Sequence, residues 1–265
     1  MALSAPRLPR RGDYGVDAPA VPLGLGTAGL ALAAAAWGAA RARARVVVPF
    51  LAAGGLSMLG SAAIYLHTSR RGKLAVWAEL LAGLGLRGDE RVLDVGCGRG
   101  AVLLMAAELL PRGRAVGLDL WRARDQSGND PVATRRNAAR EGVADRAALV
   151  TGDMRAVPFA DGAFDVVLSS LAVHNLPDPA DRARAIDEMV RVLRPGGRLL
   201  IADLTAAERR RGERGRPVRP TDAYAARLAA VGMIDVSQRG LGWRLWYGGP
   251  WVATRLVTAR KAPRP

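Results

Sequence analysis

The sequence predicts an α/β fold, a mostly parallel sheet of seven strands preceded by two hydrophobic helices. Three observations carry that reading. Residues 91–100 (RVLDVGCGRG) read as a buried strand, through Val92, Leu93 and Val95, running into a glycine turn and then into the apolar helical stretch 101–110. About twenty residues further on, 114–119 (RAVGLD) is a second short apolar strand that ends on an acid. Upstream, residues 21–40 and 46–66 are each uncharged for about twenty residues, enough to cross a hydrocarbon core of roughly 30 Å.

Strand, glycine turn and helix form a ligand-binding unit. Gly96, Gly98 and Gly100 stand at alternate positions, where the backbone can bend sharply and come close to a ligand. The first amides of the new helix are then free to meet a carboxylate or phosphate. Asp119, with Leu120 beside it, closes the second strand, where a carboxylate can bind both hydroxyls of a ribose. Further blocks follow at 150–154 (VTGDM), 164–168 (FDVVL) and 194–201 (RPGGRLLI).

In that order and spacing, residues 74–262 resemble the class I S-adenosylmethionine-dependent methyltransferases. The resemblance implies a Rossmann-like, seven-stranded, mostly parallel sheet with an antiparallel last strand. It also implies a methyltransferase whose cofactor is S-adenosyl-L-methionine. Carried onto this sequence, it assigns Asp94, Gly96, Gly98 and Gly100 to the methionine end of the donor and Asp119 to the ribose, with Cys97, a small filler beside the ligand, and Leu120 also in the donor site. The Asp153 carboxylate would take the adenine amino group, the Met154 amide would face a ring nitrogen, and Ser169 would lie next to the reactive centre.

Composition sets limits. A chain of 265 residues holds one well-buried domain and a modest appendage. Net charge is +15, nearly all from scattered arginine, with only Lys73 and Lys261 as lysines. No groove-like interleaving with aromatics appears, which argues against a nucleic-acid partner; anionic lipid is another use for the charge. Cys97 is the only cysteine, and His67 and His174 are the only histidines. That excludes a disulfide framework and any thiol- or histidine-rich metal cluster, so no metal is expected.

Residues 1–20, rich in proline and arginine, are expected to form a disordered tail. Residues 21–70 are expected to form a membrane hairpin of two helices and residues 71–265 the methyltransferase domain. Small residues permit close helix packing, and Trp37 and Tyr65 lie near segment ends, as interfacial aromatics would. Flanking cations number six (Arg7, Arg10, Arg11, Arg70, Arg71, Lys73) against three in the connection (Arg41, Arg43, Arg45), which favours both ends in the cytoplasm. Three arginines in so short an outer loop keep a shallow, non-spanning hairpin open as an alternative. A signal peptide with a cut near 40–44 and a pair of buried soluble helices are further alternatives.

Residues 73–86 read as an amphipathic helix ahead of the first strand; in the resembling family it covers the donor site. The segment 121–129 is an insertion beside the ribose edge, read as a loop that shapes the acceptor entrance, with a neutral surface insertion as the alternative; replacing 122–129 with a glycine linker is expected to leave donor affinity nearly intact and to reduce turnover. After the fourth strand comes SSLAVHNL, which lacks the Asn/Asp-Pro-Pro-aromatic motif of enzymes that methylate nucleobase amines. His174 in that stretch is a candidate general base, with a helix residue packed against the next loop as the alternative. Residues 209–219 read as a mobile basic loop, and 241–251 (LGWRLWYGGPW) as an aromatic segment suited to a membrane interface, an acceptor pocket or a core cluster.

These expectations converge on a membrane-attached methyltransferase at the cell membrane, its catalytic domain facing the cytoplasm. Its partner would be an apolar small molecule such as a quinone, isoprenoid or lipid. A soluble metabolite as acceptor, and a non-catalytic donor-binding membrane protein, are the rival readings.

Overall fold

The computed structural model describes residues 5–205 and 220–263. The basic segment 209–219 lies outside the described residues.

Two helices come first, α1 (Ala20–Arg41) and α2 (Val48–His67), packed as an antiparallel hairpin. Contact is close where both present glycine: a Cβ on Gly55 would stand 3.1 Å from the Gly29 carbonyl oxygen. Close backbone approach of this kind is what small residues provide. α2 does not stop at the domain. A π-helical turn (Thr68–Gly72) carries it directly into α3 (Lys73–Gly83), the helix expected ahead of the first strand.

The domain alternates strands and helices: β1 (Arg91–Val95), α4 (Ala101–Glu108), β2 (Arg114–Asp119), α5 (Pro131–Glu141), β3 (Ala147–Thr151), β4 (Phe164–Ser170), α6 (Pro179–Val192), β5 (Leu193–Leu204), α7 (Pro220–Ala230), β6 (Met233–Gly240) and β7 (Thr254–Lys261). Starts and stops follow local chemistry. Asp130 caps α5 by accepting from the Val132 amide, Pro131 takes the first turn, and Gly142 ends the helix in the left-handed region. The strands form one seven-stranded sheet in the order β3-β2-β1-β4-β5-β7-β6. β7 alone runs opposite to the other six strands.

Apolar side chains fill both faces of the sheet. One core gathers α3, α4 and α5; the other gathers α6 and α7. The chain reverses its winding between β1 and β4, and at such a switch the carboxyl ends of the strands open a crevice for ligand.

The amino-terminal segment differs from the expected tail: residues 5–19 lie against the domain. Arg7 and Arg10 pair with Glu108, and the buried Tyr14 hydroxyl donates to Glu141 at 2.7 Å. The Arg11 and Gly12 amides donate to that same carboxylate at 2.9 and 2.8 Å. Fixed acids on α4 and α5 thus offset the ordering cost that a proline-rich, aperiodic stretch carries.

The aromatic segment divides. Tyr247 and Leu245 are buried, Tyr247 meeting Tyr65 edge-on at 5.0 Å. Trp243 and Trp251 are exposed, at 63% and 67%.

Candidate functional site

The crevice at the β1/β4 switch is lined by Asp94, Gly96, Cys97, Gly98, Asp119, Leu120, Asp153 and Met154, eight of the residues singled out in the sequence. Glycine is required at two of them. A Cβ on Gly96 (φ +77°) would stand 2.2 Å from the Ala172 Cβ, and one on Gly98 (φ +51°) 2.4 Å from the Gln126 side-chain oxygen. Both positions also lie in the left-handed region that side chains avoid.

The turn departs from expectation in one respect: its amides are already occupied. Gly96 and Cys97 donate to the Leu118 carbonyl at 2.8 and 3.2 Å, and Gly100 to that of Cys97 at 2.9 Å. Gly98 donates to Asp119 at 2.8 Å and Arg99 to Gln126 at 2.7 Å. No free cradle for an anion is left in the turn itself.

Asp94 is 1% exposed, and neither carboxylate oxygen has a hydrogen-bond partner within the protein. Burial pushes its carboxyl up to about 7; the charge of Asp119 adds to the effect, while that of Lys73 opposes it. A buried carboxylate left unsatisfied beside a crevice is a place for a cationic ligand group.

Asp119 holds the opposite wall. Besides the Gly98 amide, it accepts from the Trp121 amide at 2.6 Å and from Asn129 at 3.2 Å. Asp153 is gripped by Arg155, which donates at 2.6 Å and holds the carboxyl below the usual range. Cys97 is buried and its thiol pushed up by burial, so it packs and does not react.

Three expected residues, Ser169, Gly100 and His174, are not among those lining the crevice. Ser169 is fully buried and donates to the Val95 carbonyl at 2.9 Å. The next residue, Ser170, faces the crevice, because side chains alternate along β4. Gly100 lies behind the turn, against Thr134 and Leu104.

His174 sits in a 3-10 turn after β4 (Val173–Asn175), between the crevice-lining residues Ala172 and Asn175. Its Nδ1 makes a short contact to Asp203, which is fully buried at the end of β5. Asp203 is fixed in turn by the His174 and Leu204 amides at 2.9 and 2.8 Å and by the Tyr224 hydroxyl at 3.2 Å. Burial works to lower the imidazole pKa, but the charge and hydrogen bond of Asp203 outweigh it, and the net shift is upward from 6.5.

Residues that the sequence did not single out complete the walls: Asp17, Lys73, Gln126, Asn129 and Ser170. The insertion 121–129 is clasped to the amino-terminal segment, with the Ser127 amide donating to the Val16 carbonyl and the Ala18 amide to that of Asp125, both at 2.9 Å. Since Gln126 caps the turn and Asn129 holds Asp119, the insertion supports the donor side of the crevice. Replacing residues 122–129 with a short glycine linker is therefore expected to weaken S-adenosylhomocysteine binding about tenfold, read by calorimetry; an unchanged affinity would show that the insertion serves the acceptor alone.

A doubly wound sheet with a crevice at its switch point defines a class, the α/β proteins that bind their ligand at the carboxyl ends of the strands. Comparison narrows it. Residues 93–201 match the family described as "Methyltransferase domain". The ubiquinone/menaquinone biosynthesis C-methyltransferase UbiE of Roseobacter denitrificans is 34% identical over 131 residues, covering 49% of each chain. The 27-O-demethylrifamycin SV methyltransferase of Amycolatopsis mediterranei is 35% identical over 126 residues, 46% of this chain and 42% of that one. The chain spans about half the length of the curated relatives it matches.

Among solved structures, the [4+2]-cyclase SpnF superposes with a TM-score of 0.59 at 21% identity, covering 74% of this chain and 84% of that one. Geranyl diphosphate C-methyltransferase from Streptomyces coelicolor gives 0.56 at 18%, covering 74% and 81%. These likenesses show the fold; a cyclase among them shows that fold alone does not set the reaction. Residues 93–201 carry the methyltransferase-domain match and lie within a Rossmann-like methyltransferase fold. S-adenosylmethionine is the cofactor of that family, and the unsatisfied Asp94 carboxylate and the acids beyond it fit its ammonium, ribose and base.

Proposed function

We propose that this chain is a membrane-attached, S-adenosylmethionine-dependent methyltransferase acting on an apolar small molecule of the quinone, isoprenoid or lipid-like kind. The observation that carries the reading is the union of donor crevice and apolar hairpin. Asp17, three residues before α1, pairs with Lys73, the first residue after the turn that ends α2, and both line the crevice. The ion pair holds both ends of the hairpin on one side, beside the domain, which accords with an orientation that puts the domain in the cytoplasm.

The hairpin itself is costly in water. Ten large apolar residues of residues 21–66 are exposed, among them Leu23, Trp37, Phe50 and Leu56. At roughly 1 kcal/mol or more each, their exposure costs roughly 10 kcal/mol, comparable with the stability of a whole domain. Both helices have the length and composition to cross a bilayer, and only 17% of either apolar window is buried. Arg41 stacks over Trp37 at 3.9 Å, an arrangement that lets a cation in the tight connection stay at the interface. The relatives named for quinone methylation support the acceptor class.

When bound, S-adenosylmethionine supplies a methyl group already activated by its positive sulfur. The protein's task is to hold donor and acceptor in line and away from water. Asp94 would hold the ammonium, Asp119 and Leu120 the ribose, and Asp153 and Met154 the adenine. His174 is oriented by Asp203: with Nδ1 donating to the carboxylate, Nε2 is the nitrogen left to take a proton from the acceptor.

Three measurements test this. Asp119→Ala is expected to weaken S-adenosylhomocysteine binding by about 1 to 3 kcal/mol, seen in a calorimetric titration; no change would remove Asp119 from the donor site. In inverted vesicles, the catalytic domain should be digested by protease added outside, and a domain that survives would overturn the orientation. Release of S-adenosylhomocysteine on adding lipid extract separates an enzyme from a donor-binding scaffold.

A further inference from the structure

We infer that Lys73 is the counter-ion for the carboxylate of the donor's amino-acid end, held in place by Asp17. The inference rests on the donor-site reading above and adds a residue outside the matched domain, 93–201.

An amino-acid end carries an ammonium and a carboxylate, so the crevice must offer both signs of charge. Asp94 serves the ammonium. For the carboxylate, a glycine turn would ordinarily offer free amides, but here those of Gly96, Cys97, Gly98, Arg99 and Gly100 are all donated within the protein. With the turn amides taken, a cation in the crevice wall is the partner that matches the carboxylate's charge. Among the described crevice-lining residues only Lys73 and Arg122 are positive. Arg122 belongs to the sugar and base side: its carbonyl accepts from Asn129, which holds Asp119, and its charge acts on Asp153. Lys73 is at the other side, close enough to Asp94 for its charge to be felt there.

Lys73 is 4% exposed, and its ammonium meets the two Asp17 oxygens at 2.6 and 2.8 Å. An ammonium has three N–H groups, so two such contacts leave one for a ligand. Asp17 is anchored independently of it, accepting from Ser69 at 3.0 Å, Tyr247 at 2.9 Å and Gln126 at 3.2 Å. Those donors come from the turn below α2, from the aromatic segment and from the insertion. They keep the carboxylate satisfied when Lys73 turns partly toward a ligand. The donor's carboxylate is therefore read by Lys73 at one foot of the hairpin, positioned by Asp17 at the other.

The test compares two ligands on the full chain in detergent: S-adenosylhomocysteine, which has the amino-acid end, and 5′-methylthioadenosine, which lacks it. Lys73→Met is expected to weaken S-adenosylhomocysteine about 10- to 100-fold and to leave 5′-methylthioadenosine within about twofold. The double variant Asp17→Asn with Lys73→Met removes both charges and avoids stranding a buried carboxylate; it should show the same selective loss. Equal weakening of both ligands, or no change in S-adenosylhomocysteine, would overturn the role of Lys73. Wild-type protein that binds neither ligand would overturn the donor-site reading itself, a distinguishable failure.

Discussion

His174→Ala is expected to lower kcat about 100-fold while S-adenosylhomocysteine affinity stays within about twofold. His174 is held by Asp203 through Nδ1 and a main-chain amide, so its loss removes a proton acceptor without touching the donor's partners. The pH profile adds a second readout. The imidazole pKa lies above 6.5, and a base must be neutral, so kcat should rise with pH through a midpoint above that value. The stabilising contact with Asp203 has the opposite dependence: it is fully present below about 6.5 and lost as pH rises through the folded-state value. Asp203→Asn should bring the kinetic midpoint down. A loss under threefold in His174→Ala, in single-turnover kinetics, would remove the general base from the account.

Asp94→Asn carries the other large effect, on binding. Losing an ion pair with a buried ammonium is expected to weaken S-adenosylhomocysteine by about 2 to 3 kcal/mol, a factor of roughly 30 to 150. Burial raises this carboxyl from 3.8 to about 7, so the folded protein keeps its proton over a range where the unfolded chain has released it. The contribution of Asp94 to stability therefore falls as pH rises from about 4 to about 7. Ligand affinity moves the other way, rising up to about tenfold per pH unit below 7 and levelling above. The slope should vanish in Asp94→Asn. Calorimetry between pH 6 and 8 reads both, and a flat wild-type profile would contradict the assignment.

The domain was legible in the sequence because each piece has a strong local cause. Val92, Leu93 and Val95 are apolar enough to be buried, Gly96 and Gly98 occupy backbone angles that other residues avoid, and Asp130-Pro131 caps α5 by its own chemistry. Ser169 failed for an equally local reason: in a strand buried on both faces, hydrophobicity does not say which of two adjacent serines faces the ligand. The amino-terminal segment was missed because nothing in residues 5–19 is periodic. Its order comes from single contacts to Glu108, Glu141 and Ser127, about a hundred positions away.

Asp203 was within reach of a reading that asked which acid ends the fifth strand, as Asp119 ends the second. Lys73 had a fainter signal, being one of two lysines in a chain whose other 37 basic residues are arginine. The occupation of the turn amides had none, since it depends on Gln126 and Leu118 arriving from elsewhere in the chain.

The central claim joins a methyl donor held by Asp94, Asp119 and Asp153 to an acceptor that arrives from a bilayer. Incubating the full-length protein in membrane vesicles with methyl-labelled donor and a lipid extract tests it most directly. The account predicts label in a product extracted by organic solvent, dependent on Asp94; label that stays in the aqueous phase, or appears equally with Asp94→Asn, would contradict it.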